Sequence, residues 1–193
     1  MASDSHLNLA AFPTDLGWAA LATKDSFVEQ IAFAYPSAAA ALAAVDVDVA
    51  CGEDAGKDWR WLIDRLQDFS TGQPVDFSDV PLAIEHLTAF RRRVIEHARA
   101  IPYGATRSYG ELAALAGSPR AARAVGSTMA TNRFSIVVPC HRVTNSDGTP
   151  GAYGGPNGAA LKRRLLDMEQ RAVATFGRPR RIAKRGRKKP PPR

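Results

Sequence analysis

The chain has little cysteine, no long apolar run and, beyond residue 176, no acid at all. Two cysteines in 193 residues, Cys51 and Cys140, cannot build a disulfide framework or a cysteine-rich zinc site. Four scattered histidines do not make up the deficit, so no metal is expected. No apolar stretch approaches the ~20 residues that span a bilayer, and the Ala-rich Ala38–Val45 is far too short, so no membrane partner is expected. The start, Met1-Ala-Ser-Asp-Ser-His6, lacks the basic and apolar segments of a secretory leader, which points to the cytoplasm. With 45% hydrophobic and 23% charged residues the chain is globular, of one or two domains, and able to bury a core. That balance excludes collagen, coiled coil and low-complexity disorder for most of the length.

The net charge of +7 is unevenly distributed. Residues 1–84 hold 4 Lys/Arg against 13 Asp/Glu, residues 85–176 hold 13 against 6, and residues 177–193 hold 9 against none. An acidic domain, a basic domain and a basic tail follow from that division. The last segment, with four prolines and Ile182 as its one large apolar residue, cannot offset its ordering entropy by burial. It reads as a disordered arm. A basic arm beside a basic domain favours a polyanion, most often nucleic acid, and the plainer alternative is a solubilising tail.

Leu7 to Phe33 is punctuated by Pro13 and Gly17, as in a strand, a turn and a strand. Ala38–Val45 and Asp58–Phe69 read as helices, the second with Trp61, Leu62, Leu66 and Phe69 at helical spacing. Glu85 to Ala100 reads as a third helix, with Leu87, Phe90, Val94 and Ile95 on one face and Arg91-Arg-Arg93 on the other. Nothing in the first 84 residues carries recognisable chemistry. Further on, Ser108 followed by Glu111 predicts a capping box opening a short helix. Gly117-Ser-Pro-Arg120 breaks it, and a second helix begins at Arg120 with Arg123 on its outer side. Two short helices about a glycine turn form the helix-turn-helix signature, whose second helix lies against DNA. Its alanines would allow close approach to a backbone, and its arginines would meet phosphates.

Ile136-Val-Val138 reads as a buried strand ended by Pro139, with Cys140 and His141 directly after it. A lone cysteine behind an apolar strand is usually an inert core residue. Here His141 and Arg142 follow, and both would favour a thiolate, which a free thiol of pKa ~8.5 supplies poorly at neutral pH. Adjacent residues on a regular strand point to opposite faces, so a Cys140–His141 partnership needs a turn at Pro139. Cys51 sits among acids that would raise a thiol pKa, and it reads as structural or incidental.

Three segments together, Pro139-Cys-His-Arg-Val143, Ile101-Pro-Tyr-Gly-Ala-Thr-Arg-Ser-Tyr-Gly110 and Ala121-Ala-Arg-Ala-Val-Gly126, resemble the O6-alkylguanine-DNA alkyltransferases. The resemblance runs from about Leu87 to Glu169, and Pro13-Thr-Asp-Leu-Gly-Trp18 is compatible with that family's N-terminal domain. It implies that Cys140 is the acceptor thiolate for an alkyl group on guanine O6, with O4-alkylthymine as a second candidate substrate. His141 would take the thiol proton through a water, and Glu169 would orient that imidazole. Asn132 would organise the turn, and Tyr109 would donate toward the guanine ring as negative charge develops there. Arg123 would fill the gap left in the base stack, with Ala122 and Gly126 beside it on the DNA-facing helix. Tyr153, Gly154 and Gly155 would close over the flipped base, with Met129 in the same pocket. The alkylated base brings its own alkyl group, so no cofactor is implied. Double-stranded DNA containing O6-alkylguanine is the implied partner.

The sequence departs from the family pattern in three places. Asn132 is followed by Arg133-Phe134 where the family usually has proline, the loop containing Pro156-Asn-Gly158 is longer than usual, and the basic tail lies outside the pattern. The expected fold is α+β: a ribonuclease-H-like mixed domain over residues 1–84, then a helical winged-helix-like DNA-binding domain over residues 85–172. A basic tail over residues 173–193 follows, in a monomer placed in the cytoplasm with the nucleoid. Two rival functions remain. A reader of alkylguanine without repair activity would lack the acceptor cysteine. An unrelated Cys-His hydrolase would need an oxyanion arrangement and no helix-turn-helix.

Overall fold

Leu7–Thr14 (β1), Gly17–Lys24 (β2) and Phe27–Tyr35 (β3) form an antiparallel sheet in chain order, one strand more than the turn signals at Pro13 and Gly17 mark. The computed structural model describes residues 7–46, 58–156 and 158–177. The readings made for Cys51 and for the tail beyond Gly177 lie outside them. Gly17 opens β2 at φ +124°, where a Cβ would lie 2.7 Å from the Tyr35 carbonyl oxygen, so both this backbone conformation and the close approach of β3 require glycine. β2 is buried on both faces, and its period of two sorts the side chains. Ala19 and Leu21 enter the main core, whereas Ala20 and Ala22 pack with Ala32, Ala41 and Val45 beneath the helix Ala38–Ala43 (α1). Small side chains on that face let α1 lie close to the sheet.

β3 carries a bulge. Trp18 pairs with Tyr35 and Ala20 with Ala32, so two residues, Phe33 and Ala34, oppose Ala19 alone. Ala34 absorbs the extra residue at φ +65°. Such a bulge re-aims the side chains that follow it, and Tyr35 comes to line the cavity described below.

Arg60–Ser70 (α2) buries Leu62, Ile63, Leu66 and Phe69. Phe69 is the hub of the core, edge-on to Phe33 at 6.5 Å, to Phe77 at 6.2 Å and to Tyr103 at 6.2 Å between centroids. Each such pair contributes about 0.5–1.5 kcal/mol beyond area burial. Phe69 also lies 6.0 Å from the His141 ring, so the first 84 residues and the remainder share one continuous hydrophobic cluster.

Ala89–Arg99 (α3) starts later than its sequence pattern suggests. Thr88 caps it, accepting from Arg91 N at 3.4 Å, and Leu87 N closes a turn on the Ile84 carbonyl. Glu85 to Thr88 therefore stand outside the helix, and the buried face is Val94, Ile95 and Ala98. Its arginines act as clamps: Arg93 Nε donates to the Ala116 carbonyl at 2.9 Å, and Arg99 reaches the Phe77 and Val80 carbonyls.

Tyr109–Leu115 (α4) has the capping box read from Ser108 and Glu111, with both reciprocal hydrogen bonds formed. A turn at Gly117 leads to Ala122–Ala130 (α5), which begins after Arg120 and not at it. Arg107–Ser108 (β4) pairs in parallel with Val143–Thr144 (β5), which brings the start of α4 beside the Cys140 segment. The long helix Gly158–Phe176 (α6) packs Leu161, Lys162, Leu165 and Glu169 inward. Among the described residues, no helix is long and apolar enough to cross a membrane. Among the described residues the architecture is a mixed α+β fold, with a small three-stranded sheet, a two-stranded parallel pair and helices.

Candidate active site

The segment before Cys140 is buried but is not the strand its composition suggests. Ile136 is at φ +71°, a conformation that costs a β-branched residue on the order of 1–3 kcal/mol. Val138 N bonds back to the Phe134 carbonyl at 2.8 Å, and Val137 N to that of Ser135 at 2.9 Å. The chain thus doubles on itself, and Cys140–Arg142 form one 3-10 turn after Pro139. The turn that a Cys140–His141 arrangement needs is present, earlier and tighter than proline alone implies.

Asn132, half-buried at the end of α5, holds this loop. Its Nδ2 donates to the Val138 carbonyl at 2.9 Å and to Cys140 Sγ at 3.2 Å, and its Oδ1 accepts from Phe134 N at 3.0 Å. Cys140 Sγ also meets the Tyr153 hydroxyl. Burial pushes the thiol above its ordinary pKa, while the Asn132 hydrogen bond and the Lys162 ammonium pull it down. Lys162, on α6, is fully buried: its Nζ donates to the Val143 carbonyl at 2.5 Å and to the Tyr109 hydroxyl at 3.3 Å. The cation that favours the thiolate is therefore Lys162. Arg142, expected in that role from its place in the chain, faces the other way.

Arg142 and His141 converge on Glu169. Arg142 Nε lies 3.1 and 3.0 Å from the two carboxylate oxygens and Nη2 lies 2.9 Å from Oε1, while Nη1 donates to the Ile101 carbonyl at 2.8 Å. Gly104 N donates to Oε2 at 2.8 Å. Burial alone would raise Glu169, but its attraction to His141 and Arg142 prevails and holds it at about 2, a carboxylate. His141 Nε2 lies 2.8 Å from Oε1 and must donate to that carboxylate, which fixes the tautomer and leaves Nδ1 as an acceptor. Nδ1 is buried and has no protein partner among the described residues. Burial lowers the His141 pKa against the pull of Glu169, so the ring is neutral near pH 7.

In front of Cys140 lies a cavity of about 230 Å³. Met129, Asn132, Tyr153, Gly154 and Gly155 line it with Cys140, so six of the residues singled out in the sequence share one wall system. Phe33 and Tyr35 of β3 form the opposite side, a contribution that no pattern in the first 84 residues announced. Tyr109 stands beside Lys162, its phenol raised by burial and by Cys140. Gly151 backs onto the Tyr109 ring so closely that any Cβ there would strike the hydroxyl. His141 and Glu169 lie behind the thiol and do not line the cavity. Arg123 is exposed on α5, well before Met129, with Ala122 and Gly126 half-buried beside it. A Cβ at Gly126 would meet nothing within 4 Å, so bare backbone faces outward there. Lys162, Phe33 and Tyr35 are site residues that sequence reasoning missed.

This geometry has counterparts in known proteins. A family model described as the 6-O-methylguanine DNA methyltransferase DNA binding domain matches residues 89–171. A methylated-DNA–protein-cysteine methyltransferase of Methanothermobacter thermautotrophicus is 44% identical over 109 residues, 56% of this chain and 59% of that protein. The protein of the same name from Methanopyrus kandleri is 42% identical over 104 residues, covering 54% of this chain and 75% of its own length. The aligned stretch thus spans less than two thirds of the first of these relatives. Among solved structures, Mycobacterium tuberculosis OGT in complex with DNA superimposes with a TM-score of 0.71 at 32% identity, over 86% of this chain and 94% of that one.

Proposed function

This chain belongs to the methylated-DNA–protein-cysteine methyltransferase family, and from that premise we propose that it repairs DNA by moving an alkyl group from guanine O6 to its own Cys140. The observation that carries the proposal is a thiol held by Asn132 at the wall of a cavity, with a carboxylate-fixed neutral imidazole behind it. O6 of a paired guanine lies inside the duplex, so the nucleotide is first rotated out, at about a few kcal/mol and less for a poorly pairing alkylated base. Arg123 on α5 enters the stack in its place, and Tyr153 to Gly155 close over the extruded base.

The thiol proton passes through one water to His141 Nδ1, and Glu169 stabilises the imidazolium that forms. The thiolate attacks the alkyl carbon, a C–S bond forms and the C–O6 bond breaks with its electron pair leaving on guanine. Tyr109 donates toward that developing charge. The proton lost by the thiol returns to the guanine ring, so atoms and charge balance without a cofactor. A thioether has no hydrolytic exit here, which makes the protein a single-use acceptor. The helix pair α4–α5 is assigned as the DNA-contacting element of a winged-helix-like unit over residues 85–172. Residues 1–84 are assigned as a ribonuclease-H-like support. A reduced compartment with access to DNA, the cytoplasm and its nucleoid, suits a free acceptor thiol.

Intact mass after incubation with DNA containing O6-methylguanine tests this reading. One methyl increment per molecule, mapped to Cys140 and absent in Cys140→Ala while DNA binding persists, is expected. Methyl removed should plateau at about one per protein, since the acceptor is consumed. No mass change would favour a non-repairing reader, peptide turnover a hydrolase, and methyl on Cys51 a different acceptor.

A further inference from the structure

Residues 30–31 of β3 and residues 133–134 of the Cys140 loop are joined by both backbone and side chain. Ile31 N donates to the Arg133 carbonyl at 2.7 Å, and Ile31 bridges Phe134 in parallel. Arg133 Nη2 donates to Gln30 Oε1 at 2.8 Å and to the Asp46 carbonyl at 2.5 Å. Gln30 is itself fixed, its Nε2 donating to the Ala44 carbonyl at 2.9 Å and its Oε1 accepting from Asp46 N at 3.1 Å. The guanidinium therefore plugs a closed network that links β3 to the end of α1. Its immediate neighbour is Asn132, whose amide reaches Cys140 Sγ and the Val138 carbonyl.

We propose that Arg133 is a positioning residue: by anchoring the 132–134 turn to Gln30 and Asp46, it makes the N-terminal sheet set the reactivity of Cys140. The latch acts by stiffness. The Asn132 bond to sulfur spans 3.2 Å, and such a contact weakens steeply with distance and angle. The Ile31 N bond to the Arg133 carbonyl ties the turn to β3 at one point, about which it can still pivot. The guanidinium bonds to Gln30 and Asp46 are the second tether that stops the pivot and keeps the Asn132 amide on the thiol. Planar guanidinium geometry suits two simultaneous acceptors, which a lysine would bridge less well. The groups around the thiol are the Asn132 amide, the Tyr153 and Tyr109 phenols and the Lys162 ammonium, with the Tyr35 phenol and the Arg133 guanidinium on the wall of the same cavity and His141 with its Glu169–Arg142 partners behind. Of these only Asn132 depends on Arg133, so loosening the latch weakens one thiolate-stabilising contact and leaves the others in place. Gln30→Ala keeps the Arg133 charge and so separates the latch from a direct charge effect.

The inference deepens the acceptor reading above, and its test does not require DNA. The rate of iodoacetamide labelling of Cys140, followed by peptide mass across pH, reports the thiolate directly. Arg133→Ala should move that profile to higher pH and slow labelling at neutral pH by about tenfold for each pH unit moved. Gln30→Ala should move it in the same direction by less, since Asp46 still holds the guanidinium, and should add almost nothing in the Arg133→Ala background. Arg93→Ala, which removes a comparable clamp on Ala116, should lower the melting temperature without moving the profile. If Arg133→Ala lowers the melting temperature while its profile coincides with wild type, the latch is merely structural and the proposal fails. If Arg133→Ala does not fold, Gln30→Ala alone decides by the same criterion. Normal labelling shifts in a protein that gains no methyl from DNA would uphold the latch and sink the repair reading.

Discussion

Lys162 shows how a single residue sets chemistry from inside the fold. An ammonium with no exposed surface is costly unless its donors are satisfied, and here the Val143 carbonyl, the Tyr109 hydroxyl and the ring face of Tyr109 receive it. Burial lowers its pKa, and Cys140 pulls it back up, so thiolate and ammonium favour each other. The sign of a substitution follows. Lys162→Gln removes a charge that lowers the Cys140 pKa, so the thiolate fraction at neutral pH falls and the pH profile of methyl transfer moves upward. Single-turnover rates should drop about tenfold per unit of displacement and recover at high pH. A pH-independent loss would mean that Lys162 serves Tyr109 and not the thiol. Cys140 and His141 stood out in the sequence because they are adjacent and their residue types suggest a thiol beside a base, whereas Asn132 was marked only by the family resemblance. Lys162 was not, because it opens a Lys-Arg-Arg run that reads as a solvated helix surface. Only the register of α6, with Leu161, Leu165 and Glu169 inward, turns the lysine inside and leaves both arginines out.

Among the elements, α4 and α5 were the most legible and the Cys140 loop the least. Ser108 and Glu111 specify a helix start by local hydrogen bonds alone, and the structure forms them as read. Ile136-Val-Val138 misled because apolar β-branched residues carry a strand signal, while the φ of +71° at Ile136 is imposed by contacts with β3 and Asn132 that are distant in sequence or side-chain specific. The same limit hid the bulge at Ala34 that gives Tyr35 its place in the cavity. α5 carries exposed Arg123 in its first turn and buried Met129, on the cavity wall, near its last. On the proposed reading, base extrusion and methyl transfer fall to opposite ends of this helix, and a substitution at Arg123 would separate them. Arg123→Ala should slow transfer from O6-methylguanine in duplex DNA far more than transfer from the free alkylated base, which needs no extrusion. Comparing the two rate constants with wild type checks this. Equal losses would place Arg123 in support of the fold or the thiol.

At the scale of the whole molecule, charge and core divide the chain differently. The hydrophobic cluster runs without a break from Phe12 through Phe69 to Leu165, and Ile31 and Phe134 join across it. The acidic and basic sections are therefore faces of one packed body, with the cavity between β3 and the Cys140 loop. Charge segregation was readable from sequence because composition needs no coordinates. The shared core was not, because burial depends on which faces meet. Residues 1–176 carry 17 Lys/Arg against 19 Asp/Glu, so the body alone is slightly anionic and its acidic section opposes approach to a polyanion. The nine cations of residues 177–193, uncompensated by any acid, reverse that balance. Deleting residues 177–193 should weaken duplex binding and flatten its dependence on salt, since each phosphate neutralised contributes about −0.9 to the slope of log affinity against log salt. Because such a segment reads charge and not bases, affinity should fall by a similar factor for damaged and undamaged duplexes. Methyl transfer from DNA already bound should keep its rate, as the residues to which the chemistry is assigned all precede residue 177. Binding isotherms at several salt concentrations, with single-turnover transfer at saturating DNA, measure both quantities on the same pair of proteins. Identical salt slopes would show that the tail does not neutralise phosphates and serves solubility instead.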